Sequence, residues 1–469
     1  MAERTTGTPF ALESARAIHV VGAGGSGLSA IATVLAAMGK TVTGSDLKES
    51  AALRRLEGLG VTIQVGHRAE NVGDVDAVAI STAVPASNPE VAEARRRGIA
   101  VIRRAEVLAA ICRLRPTIAV AGTHGKTTTS SMLAMILVEA GMHPSFLIGG
   151  DLNDVGGGAV WDAGHGEAPF VVEADESDGT FLELGAHGVI VTNVEPDHLD
   201  YWGDFGRLTD AFERFVREGS GPKVVGVDDP GGARLAAATG ALTFGATAGA
   251  DWHLSRTASG RSGTHMVVAH HGEDVAEIEL AVPGQHNARN ALAAFAMAME
   301  LGAPAEAGVR ALERYAGVAR RWQFRGEAHG VTFVDDYAHL PSETAVAVAT
   351  AADGDWRRVV VVFQPHRFSR TAALWADFGD AFPGADLLVI TDVYPAGEEP
   401  RPGVTGKLIV NAVLDRHPEA QVAWLPLRRD VVGYLTRTLR PGDLCLTLGA
   451  GDLTSLPDEV IPLLTDPGR

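Results

Sequence analysis

Cysteine is nearly absent from this chain, which carries only Cys112 and Cys445 in 469 residues. A disulfide framework is therefore excluded. The two lie far apart among apolar neighbours, as expected of free core thiols in a reducing compartment. Long apolar runs are absent too. No stretch approaches the ~18 residues needed to span a bilayer, and the opening MAERTTGTPF has no apolar core of a signal peptide. A cytoplasmic protein without a membrane partner is expected. Positive charge is in deficit: the net charge is −18. That excludes the basic surface a nucleic acid or an anionic membrane needs, so no nucleic-acid partner is expected. Any anionic substrate must be held by local positive charge. Lysine is scarce, with five in the whole chain. What remains is 46% hydrophobic and 21% charged, ordinary for a soluble globular enzyme. At ~100 to 200 residues per domain the length suggests about three domains.

Three stretches concentrate the chemistry: TIAVAGTHGKTTT from Thr117, FVVEADESD from Phe170 and VIVTNVEPDHLD from Val189. Each runs from a β-branched apolar strand into residues suited to phosphate or Mg²⁺, so ATP is expected as a substrate. The first is not a standard P-loop, because Val120 stands where the leading glycine should be. A shortened form remains. Gly122 and Gly125 let backbone N–H groups close on phosphate, Lys126 can reach the β and γ phosphates, and Thr127 offers Mg²⁺ a hydroxyl. Met132, Leu133, Met135, Ile136 and Leu137 then predict a buried helix stopped by Gly141, which puts the glycines at a helix N-terminus where anions bind. Asp175, Glu176 and Asp178 are expected to form a solvated acidic helix start rather than to touch metal.

Short apolar runs alternate with amphipathic helices along the chain, the signature of parallel α/β domains. Strands are predicted at Ile18–Gly22, Thr41–Gly44, Ala77–Thr82, Ile99–Ile102, Val359–Phe363, Leu387–Thr391 and Leu444–Leu448, with helices at Gly27–Met38 and along the Ala-rich segment after Ala281. Linkers near Arg113–Pro116 and Gly317–Trp322 give domains at 1–114, 115–320 and 321–469. The first strand ends in GAGGSG (Gly22, Gly24, Gly25, Ser26, Gly27), and Asp46 follows the second strand. This is a dinucleotide fingerprint, with pyrophosphate on the helix N-terminus and Asp46 on a ribose hydroxyl. NAD(P) and another nucleotide diphosphate, such as a UDP-sugar, fit it equally well.

The chain resembles the Mur ligases of peptidoglycan synthesis over nearly its whole length. GAGGSG, GSD, GTHGKTTT, EADESD, NVEPDHLD, PGQHNARNA, GVARRWQ, DDYAHLPSE, FQPHRFSRT, DVYPAGE and GAGD occur in the family's order. The resemblance implies three α/β domains: an N-terminal Rossmann-like domain for the UDP-sugar, a central P-loop ATPase-like parallel sheet and a C-terminal Rossmann-like domain for the amino acid. It assigns the first glycine loop to UDP. It places ATP on Gly122, Thr123, His124, Gly125, Lys126, Thr127 and Thr128, with His286, Asn287 and Asn290 near the adenine, and with Arg320 and Arg321 reaching phosphate or ribose. Thr127, Glu173 and His198 become the Mg²⁺ positions, His198 being expected at the end of a strand beside Glu173. Tyr337, His339, His366, Arg367 and Arg370 become the amino-acid pocket, where a planar guanidinium suits an α-carboxylate.

Within that family, the implied reaction joins L-alanine to the lactyl carboxylate of UDP-N-acetylmuramate through an acyl phosphate. Lys126, Glu173, His198 and His339 are the expected catalytic residues, and a monomer or homodimer is expected. Other branches carry a carbamylated lysine after the DH motif, whereas no lysine lies between His198 and Lys223. That favours the alanine-adding branch or its tripeptide-recycling cousin. The chain departs from the family at Leu340, where a second histidine usually follows the one at 339. Two readings from other classes stand beside this one: an NAD-dependent oxidoreductase built on Gly22 to Gly27, and a nucleotide-gated binding protein without turnover.

Overall fold

Continuous apolar strands such as AIHVV and TIAVA suit parallel sheets, and the computed structural model has three sheets in which such strands are central. It describes residues 10–152 and 157–465. The first nine residues, on which the expectation of no signal peptide rests in part, and the side chain of Ser26 lie outside the described residues. The first sheet has the order Thr62–Val65, Thr41–Asp46, Ala17–Val21, Ala77–Ile80, Ala100–Arg103, all parallel. The strand order reverses at Ala17–Val21, so the loop after it opens at the carboxyl edge where ligands of such sheets bind.

In the second sheet Thr117–Ala121 lies between Gly188–Val191 and Phe170–Glu173, parallel to both. The carboxyl ends of these three strands therefore deliver Gly122, Thr192 and Glu173 to one place. Outward from them run Lys223–Gly226 and Leu242–Gly245 on one side, and Ser145–Leu152 with Gly157–Val160 on the other. The sheet continues through Trp252–Gly260, Gly263–His270 and Glu273–Leu280, three consecutive strands that depart from the expected alternation of strands and helices. The third sheet is Gln323–Ala328, Val331–Asp336, Asp443–Leu448, Arg358–Phe363, Leu387–Ile390 and Val422–Trp424, parallel except for its first, hairpin pair.

The chain divides into two compact units. One contains the chain up to Arg256 with Val267–Ile278 and Arg289–Tyr315; the other contains Thr257–Met266, Glu279–Ala288 and everything from Ala316 on. The Ala-rich helix Gln285–Glu300 contributes residues to both. Cys112 closes the helix Arg104–Cys112 in the first unit, and Cys445 lies in the strand Asp443–Leu448 of the second. Both are free and buried, and burial pushes each thiol up to about 12. No helix among the described residues is long and apolar enough to cross a membrane.

Candidate active site

The strand Thr117–Ala121 is wholly buried and turns at Gly122, whose φ is +131°. A Cβ there would sit 2.1 Å from Thr192 Oγ1, so only glycine fits. The turn is pinned from the neighbouring strand: His124 N–H donates to Asn193 Oδ1 at 2.9 Å, and Thr192 Oγ1 donates to the His124 carbonyl at 2.5 Å. Gly125, left-handed at φ +82°, caps the helix Lys126–Glu139. A Cβ on Gly125 would meet Asn290 Oδ1 at 2.4 Å, which puts the half of the predicted HN..N segment at Asn290 directly on the loop.

Lys126 Nζ donates to the carbonyls of Gly122 (2.6 Å) and Thr123 (3.3 Å) and to Glu176 Oε1 (2.8 Å). Burial works against its charge, but Glu176, with Glu173 and Asp175, outweighs that and holds the ammonium above its ordinary value. Glu176 corrects the sequence reading. It is 1% exposed and lies in no helix, for the chain runs irregularly from Phe170–Glu173 to the short 3₁₀ turn Thr180–Glu183. A carboxylate beside a buried ammonium cannot be solvated, because the pair holds its charges only together.

Thr127 Oγ1 donates to Glu173 Oε2 at 3.0 Å, and Gly149 N–H donates to the same oxygen at 2.8 Å. Adjacent ligands of an octahedral ion with ~2.1 Å bonds lie about 3 Å apart, so hydroxyl and carboxylate are spaced to fit Mg²⁺. His198 does not end a strand as expected. The strand stops at Val191, and His198 sits seven residues on, left-handed at φ 53°, capping the one-turn helix Leu199–Trp202. Its Nε2 still reaches within 4.0 Å of Glu176 Oε1 and 3.5 Å of Asp197 Oδ2. His124, read as part of the ATP loop, has Nε2 3.5 Å from Glu195 Oε2. Thr123 Oγ1 and Thr128 are largely buried, Thr123 accepting from Glu195 N–H.

The first glycine loop is built differently. Gly22 turns at φ +81° with its N–H on the Ser45 carbonyl, and Gly24 N–H donates to Asp46 Oδ2 at 2.9 Å. Gly25 caps the helix Ser26–Ala37 in an extended conformation, φ −72°. A Cβ on Gly27 would lie 3.1 Å from Arg104, which also faces Asp178 at 3.7 Å. Arg104 thus places a guanidinium beside this loop, and no local motif announces it. Behind Asp46 sits a buried hub also unread in the sequence. Glu90 accepts from Ser45 Oγ (2.6 Å) and Asn71 Nδ2 (2.5 Å), with His67 Nδ1 at 3.0 Å and His19 Nε2 at 3.8 Å. Burial would push this carboxyl up, but His19, Ser45 and Asn71 outweigh it and hold it at about 2.

In the second unit Tyr337, His339 and His366 form a chain of rings, 5.2 Å and 5.7 Å between centroids, and His366 stacks on Tyr394. Arg370 Nη1 lies 3.4 Å from His366 Nδ1, and Arg367 caps the helix Phe368–Leu374 at φ +67°. The five predicted residues are therefore brought together. Burial lowers His339, helped by Arg370 and Arg321 and opposed by Glu343; burial, His339 and the two arginines lower His366 to about 4. Both imidazoles are neutral near pH 7. Arg320 and Arg321 stand over the Tyr337 ring at 4.8 and 5.2 Å. Leu340 caps the helix Pro341–Ala352 without a side-chain bond, and Glu343 reaches back to the amides of His339 and Leu340. His286 and Asn287 belong to this unit, His286 Nδ1 at 3.4 Å from Thr350 Oγ1 and Asn287 donating to the Pro283 carbonyl.

Comparison with known families matches three descriptions in order: "Mur ligase family, catalytic domain" on residues 17–115, "Mur ligase middle domain" on 120–298 and "Mur ligase, glutamate ligase domain" on 320–451. The chain belongs to the Mur ligase family. The UDP-N-acetylmuramate–L-alanine ligase of Pelotomaculum thermopropionicum is 44% identical to this Mur ligase, covering 97% of the chain and 99% of its own length. That of Solidesulfovibrio magneticus is 47% identical over 93% and 96%. The crystal structure of the UDP-N-acetylmuramate–alanine ligase of Thermotoga maritima superposes with a TM-score of 0.81 at 30% identity, covering 95% of this chain and 98% of that one. A murein peptide ligase from Psychrobacter arcticus shares the fold at a TM-score of 0.67 and 24% identity, over 97% and 100%.

Proposed function

We propose that this Mur ligase joins L-alanine to the lactyl carboxylate of UDP-N-acetylmuramate at the expense of ATP, in the cytoplasmic assembly of peptidoglycan precursors. The observation that carries the ATP half is the convergence of Lys126, Thr127, Glu173 and His198 around one helix N-terminus. What favours alanine over the recycled tripeptide is that the relatives at 44% and 47% identity are named for alanine.

A carboxylate has no leaving group, so its oxygen attacks the γ-phosphorus, ADP departs and an acyl phosphate forms. Lys126 stays charged and exchanges its loop carbonyls for phosphate oxygens, while the loop N–H groups at the helix N-terminus hold the β-phosphate. Thr127 and Glu173, with His198 nearby, would hold Mg²⁺, which when bound draws charge from the phosphate oxygens. Arg367 and Arg370 orient the α-carboxylate of alanine. The alanine amine then attacks the acyl carbon, a C–N bond forms and phosphate leaves; the neutral imidazole of His339 is suited to position the amine or take its proton. Gly22 to Gly27, with Asp46 and Arg104, hold the UDP-sugar.

Phosphate release measured with ATP, Mg²⁺ and UDP-N-acetylmuramate against L-alanine, glycine, L-serine and the L-alanyl-γ-D-glutamyl-meso-diaminopimelate tripeptide tests this reading. L-Alanine should give the highest kcat/KM. Turnover with the tripeptide alone would move the chain to the recycling branch.

A further inference from the structure

A second cluster of metal-ligating groups stands apart from the phosphate loop. His143 follows the C-terminal end of the Lys126 helix, which at 14 residues and ~1.5 Å per residue puts it about 20 Å from the loop. Asp162 and His165 lie in the segment before the strand Phe170–Glu173. The two imidazoles stack with centroids 3.9 Å apart and planes at 5°, and both Nδ1 atoms face one carboxylate oxygen, Asp162 Oδ2, at 3.7 and 3.1 Å. The donor atoms of the three residues all lie within 4.8 Å of one another.

The carboxylate is anchored rather than mobile. Asp162 N–H donates to Ser145 Oγ at 3.0 Å, its carbonyl accepts from Arg115, and its Oδ1 accepts from Gly164 N–H at 2.8 Å. His143 is held left-handed at φ 49°, an uncommon conformation for a residue with a side chain. A lone pair on either Nδ1 facing a carboxylate is repulsive, so each nitrogen must carry a proton or share a cation. The half-exposed rings leave an entry path and freedom to turn their lone pairs onto one ion.

We propose that His143, Asp162 and His165 bind a borderline divalent cation, Zn²⁺ or a neighbour such as Co²⁺ or Ni²⁺, at a site distinct from the ATP-associated Mg²⁺ positions. Two imidazoles and a carboxylate with open positions suit these ions, whereas Mg²⁺ takes a mainly oxygen set such as Thr127 and Glu173 offer. An ion there ties the turn before Ser145–Leu152 to the turn before Phe170–Glu173, two neighbouring strands of which the second carries Glu173.

The test is equilibrium dialysis of the full chain against Zn²⁺ in excess Mg²⁺ without nucleotide, with Co²⁺ absorption as a second readout. Wild type should bind one more Zn²⁺ per chain than His143→Gln/His165→Gln, and should give visible Co²⁺ bands of imidazole ligation that the double variant lacks. Glu173→Gln should keep that ion. Both histidines are half-exposed, so the double variant should retain wild-type ligation, which establishes that it is folded. Equal zinc stoichiometry in wild type and double variant, or loss of the ion in Glu173→Gln alone, would overturn the proposal.

Discussion

The two glycine loops make the same strand-to-helix turn by opposite means. Each ends a buried parallel strand and opens a helix, so each leaves the unpaired backbone N–H groups of a helix N-terminus at the carboxyl edge of its sheet. The first keeps an ordinary backbone at its cap, φ −72° at Gly25, and satisfies one of its amides with Asp46. The second is forced left-handed at Gly125 and wedged against Thr192 and Asn290, and it begins its helix with a lysine held by a buried glutamate. The difference fits the roles proposed for the two loops. A diphosphate that is only held needs donors and a ribose anchor. A phosphoryl group that is transferred gains charge in the transition state, and only a preorganised cation can meet it there.

The largest test of this contrast is Lys126→Ala. Turnover should fall by at least roughly 10²-fold, the scale of a lost transition-state donor. UDP-N-acetylmuramate affinity by calorimetry should stay at the wild-type value, because the first loop does not use this lysine. More than about a tenth of the wild-type rate remaining would remove Lys126 from the phosphoryl-transfer step.

Glu90 gives the next effect, on stability rather than rate. Its carboxyl is held at about 2 against an ordinary 4.5. A depressed carboxylate stabilises the fold fully above the higher value and loses that contribution as pH falls toward the lower one. At 1.36 kcal/mol per unit the loss between pH ~5 and ~2 is on the order of 3 kcal/mol. Denaturant unfolding of Glu90→Gln should lack this part of the acid limb and be weaker than wild type at pH 7. Superimposable acid limbs would show that the hub behind Asp46 carries no such energy.

The smallest effect separates the two caps directly. Gly125→Ala puts a side chain into a left-handed conformation, a cost of about 1–2 kcal/mol, and drives it against Asn290. Gly25→Ala meets only the Gly22 carbonyl at 3.4 Å, ordinary contact, with φ already negative. Tm should drop by a few degrees in the first variant and stay level in the second. Equal drops would mean the caps are strained alike.

How legible this was depended on the range of each signal. The predicted strands at Thr41, Ala77, Val359, Leu387 and Leu444 lie within a residue or two of the observed ones, and all but the first are the largely apolar runs that buried parallel strands require. The loop residues Gly122 to Thr127 were legible because the turn, the lysine and the helix start are consecutive. Glu176 was not, since sequence reports an acidic cluster but not which acid faces inward. Glu90 draws its partners from positions 19, 45, 67 and 71, and Arg104 meets the first loop across 77 residues, so no local pattern announces either. VIVTNVEPDH reads as one run with His198 at a strand end, yet the strand stops at Val191, after which the Thr192 and Asn193 side chains turn to bond the loop at His124. The strands Gly263–His270 and Glu273–Leu280 are marked in the sequence only by the turn signals SGRSG and HHGE before them.

The buried cysteines carry a practical consequence. With one thiol in each unit, both held up at about 12, the native chain presents almost no thiolate at neutral pH to an alkylating probe. It is in effect a labelling-silent background. A single cysteine introduced on an exposed turn of either unit would take up maleimide alone, so fluorescent or spin reporters can be placed one at a time without first stripping the protein of the sulfur it already has.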